Sequence, residues 1–221
     1  AGAIAEADQL ATLSTNLTTL YAAGTTDIDL AGVTGISGTY AQVEAVVDGV
    51  SSGSYSNLSG TDLTVDTLTI DVTEANKLTA ATTGDVTATL DTGALASFSG
   101  LSSDSQPSGG NSFAITVTGT SLDAGELATL DGKVATTGSI TTSQIVKLTG
   151  TFSELKGHIT DSSHFTGNTA IADVTISSGD VSDAGELVTL AANFKTLKTG
   201  DNDVEILLTS VGTISGAFGD L

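Results

Sequence analysis

The chain has 221 residues, 6 of them basic and 26 acidic, for a net charge of −20, a balance that repels phosphate backbones and anionic lipid and so argues against nucleic acid and membrane surfaces as partners. It has no cysteine, which excludes disulfides, zinc–thiolate sites and iron–sulfur clusters, and no run of about 18 apolar residues to span a bilayer. The hydrophobic fraction of 39% is that of a folded protein, set among Thr, Ser, Gly, Asp and Ala, and the lack of methionine points to a chain processed or cut from a longer one.

In chain order the first signal is Asp8-Gln9-Leu10-Ala11-Thr12-Leu13, which starts a helix. A strand-like run follows from Thr26 to Leu30, entered from Gly24. Ile36-Ser37-Gly38-Thr39-Tyr40-Ala41-Gln42-Val43 comes next, then a polar stretch from Ser51 to Gly60 around Tyr55. Asp62 to Val72 reads as a strand, Thr73 to Leu78 as a loose copy of the first signal, and Asp85 to Leu90, after Gly84, as another strand. The longest polar insertion, Leu101 to Asn111, holds the only proline and reads as a surface loop. Beyond it lie a strand from Ser112 to Thr118 and a second copy of the first pattern, Asp123-Ala124-Gly125-Glu126-Leu127-Ala128-Thr129-Leu130. Gly138 and a second copy of the Ile36 pattern, Leu148-Thr149-Gly150-Thr151-Phe152-Ser153-Glu154-Leu155, come after that. The chain closes with a strand from Ala170 to Ser177 and a third first-pattern copy from Asp183 to Leu190. After Gly200 come a strand from Val204 to Thr209 and a third second-pattern copy, Ile214 to Leu221.

Both patterns have physical content. Asp123 and Asp183 stand where a side-chain oxygen caps free N–H groups, and Glu126 and Glu186 lie three residues on, as a capping-box partner would. Leu127 with Leu130, and Leu187 with Leu190, share one helix face, which Phe194 and Leu197 extend. In the second pattern Ser37, Thr149 and Ser215 are expected to cap a turn or short helix that carries Tyr40, Phe152 or Phe218 inward. Gly24, Gly84, Gly138 and Gly200 stand where helices should stop, and those in Thr-Gly pairs suit a left-handed C′ residue.

The second pattern trails the first by about 20 to 30 residues, the repeat length of solenoids. The expected fold is an α/β repeat, a solenoid of short parallel strands alternating with short helices. Residues 1–221 would form one run of about six to eight strand–helix units, part of or polymerising into a longer array. A mostly-β parallel β-helix is the alternative, and a doubly wound fold stands third because its helices run longer.

The stretches Val117 to Leu130 and Leu78 to Leu90 resemble Thr- and Asp-rich repeats of giant exported proteins of cyanobacteria, with similar repeats in structural fibre proteins of marine cyanophages. The resemblance covers nearly the whole chain. It implies an extracellular, cell-surface or virion-surface location and a structural or adhesive role, and it carries over no catalytic residue.

Among candidate sites, His158 and His164 flank Asp161 without an HExxH frame, a third ligand or a nucleophile, and read as loop histidines. No Gly-x-Ser-x-Gly elbow or phosphate loop occurs, so no enzyme is expected. Acidic pairs are the one serious site signal: Asp27 with Asp29, Asp62 with Asp66, Asp71 with Glu74, and Asp201 with Asp203 could converge on calcium. The plainer reading is that these carboxylates cap helices and keep a Thr-rich fibre soluble.

Two functions follow as expectations. In the first, the chain is a structural protomer of a fibre, filament or coat that stacks end to end, since it opens on a helix-type unit with no strand before it and carries no polar capping repeat. In the second it is an adhesin or phage-fibre module whose loops, Leu101 to Asn111 and the stretch around Tyr55, recognise surface glycans.

Overall fold

The computed structural model describes residues 2–20, 27–103, 110–142, 145–160, 165–166, 171–197 and 205–216. In chain order the elements are β1 (Gly2–Ile4), α1 (Asp8–Leu20), β2 (Ile28–Asp29), β3 (Val33–Thr39), α2 (Tyr40–Ser51), β4 (Tyr55–Ser56), β5 (Asp62–Thr67), α3 (Val72–Ala81), β6 (Val86–Thr89), β7 (Gly93–Ala94), a 3-10 turn (Leu95–Phe98), β8 (Ser112–Thr118), β9 (Ser121–Asp123), α4 (Ala124–Asp131), β10 (Ser139–Thr141), β11 (Lys147–Gly150), α5 (Phe152–Thr160), β12 (Phe165–Thr166), β13 (Asp173–Ile176), β14 (Gly179–Val181), α6 (Ala184–Leu197), β15 (Glu205–Leu208) and β16 (Val211–Ile214). The fold is mixed α/β. Its described strand pairs are parallel, as strands that are each re-entered through a helix must be.

The chain divides into two compact parts, residues 1–91 with 100–115 and 133–138, and residues 92–99 with 116–132 and 139–221. In the first, β1, β3, β5, β6 and the start of β8 form one parallel ladder, and β2 pairs with β4. Ile36, Leu63 and Val86 stand in register on its inner face, all buried. Burying such a side chain is worth about 1.5–3 kcal/mol, so a column of them, not any one helix, holds each layer to the next. In the second part β9, β11, β13 and β15 form a ladder of the same kind, with Leu122, Leu148, Val174 and Ile206 in register, and β14 pairs with β16.

Several sequence expectations are corrected here. Ser37 and Thr149 are not helix caps: both lie within strands, β3 and β11, and the cap comes two residues later. Thr39 caps α2 in a reciprocal capping box with Gln42, and Thr151 does the same at α5 with Glu154. The run from Asp62 to Val72 is not one strand. β5 ends at Thr67, Leu68 turns through φ 63°, and Asp71 caps α3 with Glu74 as its reciprocal partner. Alternation of apolar residues did not reveal the cap because Thr69 and Ile70 keep the period of two.

Gly84 and Gly138 are not left-handed C′ residues. A Cβ on Gly84 would lie 2.5 Å from the Thr61 carbonyl oxygen, and one on Gly138 would lie 2.7 Å from the Phe113 carbonyl oxygen. These glycines let neighbouring layers touch backbone to backbone. Gly24 and Gly200 lie outside the described residues. A strand, β1, also precedes the first helix, contrary to the expectation that none did.

Candidate functional site

The two sequence patterns meet in space. Ala7 lies against Gly38, Ala124 against Gly150 and Ala184 against Gly216: a Cβ on each glycine would stand 3.5, 3.2 and 2.9 Å from the alanine Cβ. In the outer two cases the alanine N–H also donates across the joint, Ala7 to the Ser37 carbonyl at 2.9 Å and Ala184 to the Ser215 carbonyl at 2.7 Å. A first-pattern helix start thus sits on a second-pattern Gly one layer later, where only small residues leave room for the backbone bond.

The first and last of these joints repeat further. β1 pairs with β3 through Gly2↔Val33 and Ile4↔Ile36, and β14 pairs with β16 through Gly179↔Val211 and Val181↔Ile214, each with one irregularity in register. In both, the Ala of the joint comes five residues after that glycine. The same two-layer module therefore occurs at residues 2–38 and 179–216.

The carboxylates singled out from sequence mostly join layers or cap helices. Asp29 Oδ1 accepts from the Ala31 N–H and from Asn57 Nδ2, both at 2.8 Å, and these bonds, Asn57 first, hold its carboxyl below the usual range. Asp62 Oδ1 accepts the Asp85 N–H at 2.9 Å, and Asp85 in turn accepts the Gly110 N–H. Asp27 and Asp66 are exposed, and Asp201 and Asp203 lie outside the described residues. Asp62 and Asp66 share one strand, about 13 Å apart at ~3.3 Å per residue, too far to grip one ion through oxygens at about 2.3–2.6 Å.

Asp123 Oδ1 caps α4 by accepting the Gly125 and Glu126 N–H groups, and Asp183 accepts the Gly185 N–H at the start of α6. Glu186 goes elsewhere: its carboxylate takes the Lys156 ammonium of α5. A helix-to-helix ion pair of this kind leaves no mark in the local pattern.

Sequence reasoning missed a polar cluster on the facing sides of α2 and α3. Lys77 Nζ lies 2.8 Å from Glu44 Oε1 and 2.8 Å from Asp48 Oδ1, while the Tyr40 hydroxyl donates to Glu44 at 2.9 Å. The ammonium and the phenol together hold the Glu44 carboxyl below its usual range. The Tyr40 phenol is pushed up by burial and by the adjoining Glu44, and Lys77 is raised by Asp48 and Glu44. In so acidic a chain, the α3 lysine relieves repulsion between two carboxylates one turn apart on α2 and ties the two helices together.

His158 lies in α5 with its side chain outside the described set, and Asp161 and His164 lie outside it altogether. Among the described residues no three metal-ligating side chains come together, and no helix is long and apolar enough to cross a membrane. Tyr55, read as a glycan contact, is 5% exposed, its ring packed over Gly49. That ring is not available to a ligand. The loop from Leu101 to Asn111 is anchored at two buried ends, with residues 104–109 outside the described set.

Among the described residues, two of the open clefts lie along turns. One of about 570 Å³ runs along the stacked turns at Leu30 to Thr34 and Asn57 to Asp62. The other, of about 340 Å³, lies between the start of α5 and the Ser178 to Ser182 turn, beside the Lys156–Glu186 pair. Both follow the seam between two successive layers. The chain matches no protein-family model, no curated protein and no solved structure.

Proposed function

We propose that this chain is an extracellular structural repeat protein, whose compact parts are runs of solenoid layers that build a fibre, filament or surface coat by stacking. The recurrence of one two-layer module at residues 2–38 and 179–216, with the same strand register and the same Ala-on-Gly joint, carries this reading. A repeated joint is what an array needs, because each layer buries its apolar face only against the next. Asp29, Asp62 and Glu186 act in the same sense, each bonding to a neighbouring segment of the stack. The composition, acidic and rich in Thr and Ser without cysteine, suits a protein facing open solvent, and the resemblance to exported cyanobacterial and cyanophage repeats points the same way.

Excision of one layer in register tests the reading. Removing residues 147–172 puts Asp173 in the place of Lys147, its partner in the ladder. A stack of layers survives this with a cooperative melt at a somewhat lower temperature. Removing residues 147–159 instead breaks register and should abolish folding. If the in-register excision unfolds the chain as completely as the other, the layers are not repeats and the proposal fails.

A further inference from the structure

We propose that the cleft between the start of α5 and the corner formed by residues 177–183 is a binding site for a neutral saccharide. This goes beyond the stacking function and does not rest on it, and it places recognition away from Tyr55 and the 101–111 loop.

The cleft has a cause in the chain. In the ladder of β9, β11 and β13 the strands reach their helices by different routes. β9 ends at Asp123 and α4 begins at Ala124, while β11 ends at Gly150 and α5 begins at Phe152, with only Thr151 between. β13 ends at Ile176, yet α6 begins at Ala184, so residues 177–183 intervene. Where helix follows strand at once, the seam is filled. Ala124 lies against Gly150, and a Cβ on Gly125 would stand 2.7 Å from Glu154 Oε1. Beside the extra corner the seam stays open, as a cleft of about 340 Å³.

The walls are fixed by the protein's own bonds. The Ser177 N–H donates to the Gly150 carbonyl at 2.8 Å, tying the corner to the preceding layer, and Asp180 Oδ1 accepts the Thr213 N–H of the following layer at 2.9 Å. Thr151 and Glu154 close their reciprocal cap at the start of α5, and the Lys156–Glu186 pair joins the two helices at the rim. A site held in this way loses little freedom when it binds.

The lining selects the ligand. Ser153, Ser178 and Ser182 are exposed in it, and their hydroxyls bond to no side chain or backbone group among the described residues. Each such hydroxyl both donates and accepts, as the hydroxyls of a sugar do. Phe152 lines the same cleft and offers apolar contact to the C–H groups of a pyranose ring. Asp180 and Glu186, in a chain of net charge −20, repel an anion, and the ammonium in the lining, Lys156, is engaged by Glu186. Among the described residues no three metal-ligating side chains converge. An uncharged, hydroxyl-rich ligand meets neither obstacle, and a cleft near the lower end of ligand sites, about 300 Å³, suits a mono- or disaccharide.

Titration of the isotope-labelled full chain with neutral sugars, followed by NMR, reads the outcome. The panel is glucose, galactose, mannose, N-acetylglucosamine and the β-linked dimers of glucose and of N-acetylglucosamine, with glucuronate and calcium chloride as charged controls. At least one sugar should shift the amide signals of Ser178, Gly179 and Ser182 saturably, with a dissociation constant of about 10 mM or below. Ser153→Tyr should fill the cleft and abolish the shifts. Ser178→Ala with Ser182→Ala should weaken binding about tenfold, as lost hydrogen bonds do. Both variants change exposed positions, and circular dichroism checks that each is folded. Ser59→Ala, in the other cleft, should bind as the wild type does. The proposal is overturned if no sugar of the panel saturates, if only glucuronate or calcium moves these signals, or if either cleft variant, folded, binds undiminished. The stacked layers are tested separately by the in-register excision, whose outcome these titrations do not touch.

Discussion

The two copies of the module, residues 2–38 and 179–216, are nearly the same object in different surroundings. Each has a glycine-led strand, a helix start on Ala and a Gly beneath it. In the first copy a further layer covers the joint, and Ile36 is buried. In the second no described strand covers that face, and Ile214 is 40% exposed. The same residues at the same register thus carry different shares of stability, because apolar burial depends on the next layer and not on the residue's own segment. Substitution makes this measurable. Ile36→Ala should cost about 2–5 kcal/mol in urea unfolding, as full truncation in a packed core does, and Ile214→Ala about 1 kcal/mol or less in the dilute monomer. Equal costs at both sites would show that this face is covered in solution.

The joint glycines sharpen the contrast. An added Cβ at Gly216 would sit 2.9 Å from Ala184 Cβ and 3.0 Å from its backbone nitrogen, and neither can yield without separating the layers. At Gly38 the nearest atom is Gln42 Oε1, at 2.7 Å, the end of a flexible side chain whose work is to accept the Thr39 N–H. Gly216→Ala should therefore cost about 1–3 kcal/mol as overpacking, and Gly38→Ala about 1 kcal/mol as a lost cap contact. Thermal melts of the two single variants rank them. The reverse order would mean that the joint at Gly38 is the tighter one.

How much of this was legible in the sequence follows from which interactions are local. The helix starts at Asp123 and Asp183 were readable because a cap and its targets lie within three residues, whereas the cap at Asp71 was hidden in a run that reads as a strand. The parallel strands followed from helices intervening between apolar runs. The two patterns were visible as recurrences, yet their meaning was not. Ala7 and Gly38 touch only because one layer of chain returns over another, and no local rule pairs them. The same limit hid Gly84, which looks like a helix stop but is small because Thr61 passes over it, and Glu186, which looks like a cap but answers a lysine in the preceding helix. It also hid β3 and β11, whose Gly, Ser and Thr residues read as turns until a neighbouring strand supplies their ladder.

A smaller effect is electrostatic. The helix after the first module's second strand enters an ion cluster, Tyr40, Glu44 and Asp48 around Lys77. Glu44 is depressed in the folded state, so its contribution is present above the unfolded-state pKa and is lost as pH falls through the folded one. Glu44→Gln should lower stability by about 0.5 kcal/mol at neutral pH, the size of a surface pair. The difference from wild type should shrink to nothing on the acid side of the ordinary glutamate range. Parallel melts over a pH series test this. A gap that persists in acid would mean that Glu44 acts by packing and not by charge.

The smallest effect concerns calcium, and it bears on whether carboxylates or apolar faces hold the layers together. Asp29 spends an oxygen on Ala31 and Asn57, and Asp62 spends one on Asp85, so both already clamp between or within layers through hydrogen bonds. Asp62 and Asp66 stand too far apart along their strand to share one. On these grounds a melt in excess EDTA should coincide with one in millimolar calcium, while Asp29→Ala lowers the melting temperature equally in both. An upward shift of several degrees with calcium, abolished in Asp29→Ala, would instead make the aspartate an ion ligand whose hydrogen bonds only position it. Calcium that stabilises wild type and Asp29→Ala alike would place any ion at other carboxylates and leave the clamp at Asp29 as described.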